Sequence, residues 1–397
     1  MNAMRWRPIP IADVFAKIDL VLLLAAAALA LLGLVMVASA SITIADRSLD
    51  APLYYFWKQL IVLGGASVIG LVLVLPGLGV WQRAGAPALI VGALMLALVL
   101  SFGREVNGST RWLQLGPISV QPSELMKLVV VVYMAGYLVR RGAEVRRALW
   151  GFVKPVALLG IIALLLLLEP DYGATVVMFA TALGMLFLAG VPLIAYAVWV
   201  VVIGSGLAAL AIAAPYRLER LTTFLNPWAD PYDSGFQLTQ ALIAIGRGEW
   251  FGVGLGGSVQ KLFYLPEAHT DFLFAVLGEE LGVFGMVVVI ALFATVVCRA
   301  FMIARRAEQQ GRLFGAHLAY GLGLVIGLQA FINIGVNLGV LPTKGLALPF
   351  MSYGANSLVV NCLGLALLLR VSYECAQPQE LLSVEEPAPV PEAGVPA

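Results

Sequence analysis

LVLLLAAAALALLGLVMVASASIT, residues 20–43, carries no charge along its whole length. A run of this kind reads as a membrane-crossing helix. Arg5, Arg7 and Lys17 precede it, and it is too long, with no small-residue cleavage site, to be a signal peptide, so it reads as a retained anchor. Nine further apolar segments follow, near 57–75, 86–101, 124–139, 153–168, 173–190, 191–213, 272–298, 314–340 and 355–371. Apolar residues make up 61% of the 397 and charged residues 12%, which excludes a soluble domain. A formal net charge of +1 gives no electrostatic pointer to a partner, and nucleic acid is not expected. The three cysteines have neither metal nor disulfide spacing; Cys298 and Cys362 lie in apolar runs and read as small core residues.

The short basic loops set the expected orientation. One carries Arg140, Arg141, Arg146, Arg147 and Lys154, the other Arg299, Arg305, Arg306 and Arg312. With ten spans both fall on one side, which the positive-inside rule makes cytoplasmic, along with both termini. The expected fold is an all-α polytopic membrane protein of about ten transmembrane helices. A large extracytoplasmic loop, 214–271, separates helices seven and eight. Residues 1–19 form a cytoplasmic segment, 20–373 the membrane domain, and 374–397 a tail whose Pro, Glu and Ala content predicts disorder. Polar stretches at 102–122, 214–271 and 341–354 then lie on the outer face.

Four polar clusters interrupt the apolar sequence. PEAHTDFLFAVLGEELG, 266–282, gathers Glu267, His269, Asp271, Glu279 and Glu280. Asp271 stands where the loop enters segment eight, as a helix cap or as a general base at the water–lipid boundary. On a continuous helix the two glutamates lie roughly 12 Å beyond it, on different faces. Intramembrane acids face a cavity or bond a neighbouring helix. NGSTRWLQLGPISVQPSELMKL, 107–128, offers Arg111 and Trp112 as an interfacial pair, then a helix start at Gln121-Pro122-Ser123-Glu124. Glu124 and Lys127 share a face at i, i+3, as a self-neutralising pair or as a positioned cation.

LPTKGLALPFMSYGANS, 341–357, is a shaped or re-entrant loop whose only charge is Lys344, with Ser352 a further cavity candidate. EPDYG, 169–173, is a tight turn with Glu169 at the edge of lipid. GVGLGG, 252–257, imitates a nucleotide-binding glycine run, but no βαβ unit surrounds it.

These clusters, together with NPWADPYDSGFQLTQALIAIGRG at 226–248, closely resemble the SEDS family of bacterial membrane proteins (shape, elongation, division and sporulation). They occur in order along nearly the whole chain. EPDYG and KGLALPF resemble the division branch more than the elongation branch. Ala355-Asn356-Ser357 departs from the Gly-Ser-Ser common in the family.

The resemblance implies a peptidoglycan glycosyltransferase that polymerises lipid II, a disaccharide-pentapeptide on undecaprenyl pyrophosphate. It would work at the septum in the inner membrane with a class B penicillin-binding protein and other division proteins. It implies Asp271 as the essential acid and Lys127 as a functional cation. Arg111, Glu124, Lys344, His269 and Glu267 are substrate-site candidates, and Trp112, Gln121, Glu169, Glu279, Glu280 and Ser352 are cavity or structural ones. An α-linked donor and a β-1,4 product require one inverting displacement. A divalent cation such as Mg2+ or Mn2+ is an open expectation, with no ligand spacing to place it. A lipid II flippase and a non-catalytic division scaffold are the competing readings.

Overall fold

The structure is a computed structural model that describes residues 17–106, 109–116, 118–147, 151, 153–212, 223–233, 235–342 and 345–377. Lys344, most of the expected N-terminal segment and nearly all of the expected tail lie outside the described residues.

Each apolar segment becomes a helix. These are α1 Leu20–Leu49, α2 Tyr54–Val74, α3 Leu78–Phe102, α4 Pro122–Arg147, α5 Val153–Leu168, α6 Tyr172–Leu188 and α7 Leu193–Ile212, followed by α9 Leu273–Gln309, α10 Leu313–Asn337 and α11 Ala355–Cys375. Seven of them, α1–α4 and α9–α11, are long and apolar enough to cross a membrane, while α5, α6 and α7 are shorter apolar helices. α3 starts well before the expected 86 because Trp81-Gln82-Arg83 interrupts the apolar run without interrupting the helix, and Pro87 lies within it. α11 runs through Cys375, two residues past 373. Of the two cysteines expected in the core, Cys362 is buried but Cys298 faces outward on α9.

The sheet corrects the all-α expectation, and two of the stretches expected as polar loops carry regular structure. The 102–122 stretch folds as an antiparallel sheet, β1 Arg104–Val106, β2 Ser109–Leu115 and β3 Ile118–Val120, in that spatial order. Its strands are rich in β-branched and aromatic residues, and Gly116 at φ 61° makes the β2–β3 turn. Strands this short leave no periodicity for a sequence to display. The expected loop 214–271 contains an amphipathic helix, α8 Phe236–Gly248, whose apolar side packs on α9.

The core is built on α9 and α10, with α1 and α8 against the former and α4 and α6 against the latter. α2 packs on α11. The polar segments meet at one end of the bundle. Asn356 Nδ2 donates to the Ser119 carbonyl at 3.0 Å, Gln59 Nε2 to the Ser352 carbonyl at 3.2 Å, and the Tyr353 N–H to the His269 carbonyl at 2.9 Å. At the opposite end Asp19 caps α1 by accepting from the Leu22 N–H at 2.9 Å, and Arg370 donates to the carbonyls of Val74 and Leu75 at 3.1 and 3.2 Å.

Candidate active site

Asp271 is not the N-cap residue of α9. α9 begins at Leu273, and its N-cap residue is Phe272, with no side-chain capping bond. An amide from another helix does that work: Asn337 Oδ1 accepts from the Ala275 N–H at 3.0 Å. The turn before Asp271 is closed by Glu267, whose backbone sits at φ 55° and whose carbonyl accepts from the N–H groups of Thr270 and Phe272 at 3.1 and 3.2 Å. The Glu267 carboxylate accepts from the Thr270 hydroxyl at 2.7 Å. Glu267 therefore shapes the turn that presents Asp271.

A ladder of amides on α10 fixes that turn to the loop at 345–354. Gln329, Asn333 and Asn337 recur every four residues, so they share one face, and all three are buried. Asn333 and Asn337 each donate to the Asp271 carbonyl, at 2.9 and 3.0 Å, and Asn333 also donates to the Leu346 carbonyl at 2.6 Å. The Asp271 carboxylate faces the same loop: a Cβ on Gly345 would stand 3.0 Å from its Oδ2.

Lys127 joins the ladder at Gln329. Its ammonium lies 2.8 Å from each Glu124 oxygen and donates to Gln329 Oε1 at 2.9 Å, while Gln329 Nε2 donates to the Ala347 carbonyl at 2.9 Å. α4 starts at Pro122 as expected, which places Glu124 and Lys127 on one face. Gln121 Nε2 donates to the Ser123 hydroxyl at 3.1 Å. Lys127 is 2% exposed, an enclosed and fully engaged cation. Contact with an anionic group would require the 345–354 loop to move.

His269 packs its ring between Tyr55 and Tyr353, with centroids at 5.0 and 5.5 Å. Its Nδ1 is buried without a partner, and burial holds the imidazole below its ordinary pKa, against a smaller opposite pull from Glu267. A neutral ring follows at pH 7. Burial raises the Tyr353 hydroxyl above its usual value, opposed by Lys58, which bonds to it. Ser352 shapes the loop by accepting from the Leu348 N–H at 2.9 Å. An apolar groove of about 690 Å3 runs beside this cluster along the start of α2, lined by residues that include Tyr54, Trp57, Lys58 and Ile61.

Arg111 turns inward to the EPDY turn, donating to the Glu169 carbonyl at 3.4 Å and to the Pro170 carbonyl. Trp112 pairs across the sheet with Arg104 and is half-buried. Asp171 caps α6 by accepting from the Ala174 N–H at 3.1 Å. Glu169 is fully buried, and burial, reinforced by Asp171 and opposed by Arg111, pushes its carboxyl up to about 8.

Glu279 and Glu280 belong to a separate assembly. α9 breaks at Gly282, and both acids sit at the end of the short helical stretch before the break. The Glu279 carboxylate accepts from Arg247 at 2.9 Å, from the Ser258 hydroxyl, and from the N–H groups of Val259 and Gln260 at 3.0 and 3.3 Å. Glu280 accepts from Lys261 at 2.8 Å and from the Ser39 hydroxyl at 2.7 Å. Lys261 and Ser39 lie 222 residues apart, a pairing with no sequence signal. The Gln329–Asn333–Asn337 spacing, in contrast, was readable as a polar stripe in an apolar segment.

Residues 19–377 match the FTSW/RODA/SPOVE family, described as cell cycle proteins. A probable peptidoglycan glycosyltransferase FtsW of Nitrosococcus halophilus is 58% identical, over 91% of this chain and 94% of its own length. The corresponding protein of Coxiella burnetii is 54% identical, over 86% and 93%. Among solved structures, a chain of a peptidoglycan synthase complex that coordinates polymerization and crosslinking superposes with a TM-score of 0.75 at 30% identity, covering 91% of this chain and 99% of its own. The rod shape determining protein RodA of Thermus thermophilus gives 0.68 at 29%, covering 91% and 98%. With a family match over nearly all of the described chain and relatives above half identity, the chain belongs to the SEDS family, on its FtsW side.

Proposed function

We propose that the chain is a peptidoglycan glycosyltransferase that polymerises lipid II at the division septum, with Asp271 as general base. The observation that carries this reading is the pinning of the Asp271 turn by Asn333 and Asn337 to the 345–354 loop, beside an apolar groove. A lipid-linked sugar has a polar head and a long apolar tail, and this pairing of surfaces suits both. Asp271 takes the proton of the acceptor's 4-hydroxyl as that oxygen attacks the donor's anomeric carbon. The bond from that carbon to the pyrophosphate breaks, and undecaprenyl pyrophosphate leaves with the electron pair. One displacement inverts the α-linked donor to a β-1,4 product.

Glu124 and Gln329 hold Lys127, and through Gln329 the ammonium keeps the loop beside Asp271 in place. With the loop moved, Lys127 would face the leaving group's growing charge. Among the described residues no group of three or more His, Cys, Asp or Glu could hold a metal. A Mg2+ or Mn2+ ion, were the reaction to use one, would be held by Asp271 and would supply charge stabilisation to the leaving pyrophosphate.

The ten apolar helices are read as ten spans, with the Asp271 end extracytoplasmic, both termini cytoplasmic, and the protein in the inner membrane. A class B penicillin-binding protein is the partner that would cross-link the product. The synthase-complex neighbour supports that pairing. The flippase alternative drew on Glu279 and Glu280 as intramembrane acids, and both are engaged by cations, Glu279 by Arg247 and Glu280 by Lys261.

The test is glycan formation from purified lipid II with the partner transpeptidase present, comparing wild type with Asp271→Asn. Loss of a general base lowers the rate by about 100-fold or more. A folded, partner-bound Asn variant that polymerises at the wild-type rate would remove Asp271 from the chemistry.

A further inference from the structure

Among the described residues that line the apolar groove at the start of α2, Lys58 alone is charged, and it is exposed. Its partners are two phenols. It bonds to the Tyr353 hydroxyl, and its ammonium lies 5.7 Å from the centroid of the Tyr54 ring. A phenol offers a lone pair or a ring face and no negative charge at neutral pH. These contacts hold the cation in place without cancelling it.

The same contacts tie Lys58 to the Asp271 turn. The Tyr353 N–H donates to the carbonyl of His269, two residues before Asp271, and Gln59, next to Lys58, is buried and donates to the Ser352 carbonyl. In the other direction an apolar track runs down the outer side of α2. Trp57, Ile61, Val68 and Val72 are all exposed and fall within about 60° of one another at 100° per residue. Gly64 lies beside the same stripe, where a Cβ would meet nothing within 4 Å, so the middle of the track is open. Lys58 stands at the junction of the polar site and the track. A lone lysine at a lipid boundary ordinarily reaches the phosphates of bulk phospholipid. This one is fastened to the loop beside Asp271, and a lipid that fits both directions needs its charge between a sugar and an apolar tail.

We propose that Lys58 receives the pyrophosphate of the polyprenyl-linked donor, whose polyprenyl chain lies along Trp57, Ile61, Val68 and Val72. This assignment rests on the polymerase reading of the Asp271 site. Lys58 forms no covalent bond. It meets the negative charge of the pyrophosphate before displacement and the further charge that the departing electron pair leaves on it.

The test titrates the purified full chain in detergent with undecaprenyl pyrophosphate, dioleoylphosphatidylglycerol or inorganic pyrophosphate. Binding is read from thermal unfolding and, as a second count of bound lipid, from native mass spectrometry. Wild type should be stabilised saturably by undecaprenyl pyrophosphate and more weakly by the other two. Lys58→Gln should bind it about 10-fold more weakly, the loss of one charge-assisted contact. Lys154→Gln, which removes an exposed lysine of α5, should bind it as wild type does. The lipid-free unfolding temperature of each variant reports its folding. Binding is read without turnover, and Asp271→Asn should keep it while losing polymerisation, so failure of this site and failure of the base are separate results.

Undiminished binding of undecaprenyl pyrophosphate by folded Lys58→Gln overturns the site, and so does equal weakening by Lys154→Gln. Phosphatidylglycerol bound as tightly as undecaprenyl pyrophosphate would leave Lys58 an interfacial anchor. Inorganic pyrophosphate bound as tightly would leave the track without a role. Either result overturns the proposal.

Discussion

Neither carboxyl oxygen of Glu169 has a hydrogen-bond partner, and the side chain is fully buried. A charge there would be unsolvated, so the group keeps its proton up to about 8 when folded, against 4.5 when not. Between those values the folded chain binds more protons than the unfolded one, so the contribution of Glu169 to stability declines as pH rises and levels off above about 8. Glu169→Gln replaces a neutral acid by a neutral amide of the same shape. We expect the variant to fold, to polymerise at pH 7, and to lose part of the fall in unfolding temperature that wild type shows between pH 5 and pH 8. Parallel unfolding curves for the two proteins across that range would show that Glu169 does not carry the proton. The pattern EPDYG marked Glu169 as a turn residue at the edge of lipid. Its isolation depends on Arg111 bonding the backbone carbonyls of the turn and not the carboxylate, a choice that sequence does not encode.

The break in α9 is the element on which the outer end depends. Gly282 adopts φ 67° and ψ −166°, a region open in practice only to glycine. The backbone groups freed by the break are taken up by the segment after α8. The N–H groups of Val253 and Gly254 donate to the Glu279 and Glu280 carbonyls at 3.0 and 3.1 Å, while those of Val283 and Phe284 donate to the Glu249 and Trp250 carbonyls at 2.9 and 3.1 Å. The glycine run at 252–257 is therefore a wrapping strand, with Gly252 at φ 79° passing against the helix end. A Cβ on Gly282 would stand 2.5 Å from the Gly252 nitrogen, so Gly282→Ala should cost about 1–3 kcal/mol from the backbone alone, and more from the clash. The Lys261–Glu280 pair beneath it is buried on both sides. Lys261→Met strands the carboxylate and should cost about 3–5 kcal/mol, while Lys261→Met with Glu280→Gln should recover much of that. Strictly additive losses in thermal unfolding would show that the two do not act as a pair. If the double variant folds and still polymerises lipid II, Glu280 is structural; a folded but inactive double variant would give it a part in the mechanism.

At the scale of the molecule, the two ends are built for different work, and the sequence showed this more clearly than it showed either end's interior. Apolar run length located the ten apolar helices among the described residues but not the amphipathic α8, because lipid contact leaves a compositional trace at every exposed position. HTD, PSELMK and EPDY likewise stood out as polar clusters, since charges are rare in such a chain. What stayed illegible was held by partners far apart in the chain: Ser39 with Lys261, Asn333 with Asp271, Asn356 with Ser119. The short sheet and the break at Gly282 were hidden because each is fixed by its neighbours and not by local pattern.

With the Asp271 turn, the sheet, the EPDY turn and the 345–354 loop at one end, polymerisation should be strictly one-sided. In proteoliposomes, lipid II supplied only from outside should be polymerised in proportion to the molecules whose Asp271 end faces outward. That fraction is measured by protection of a protease site placed within residues 378–397, because α11 ends, with Arg312 bonded to Glu374, at the opposite end of the bundle. Fluorescent lipid II should cross no faster than in protein-free vesicles. A transporter requires its substrate to contact polar groups at both ends in turn, whereas here charged groups of the other end tie helices together, Arg299 to Asp19 and Arg370 to the Val74 and Leu75 carbonyls. Rapid crossing, or polymer made in vesicles whose Asp271 ends all face away from the added lipid II, would return the flippase reading to the front.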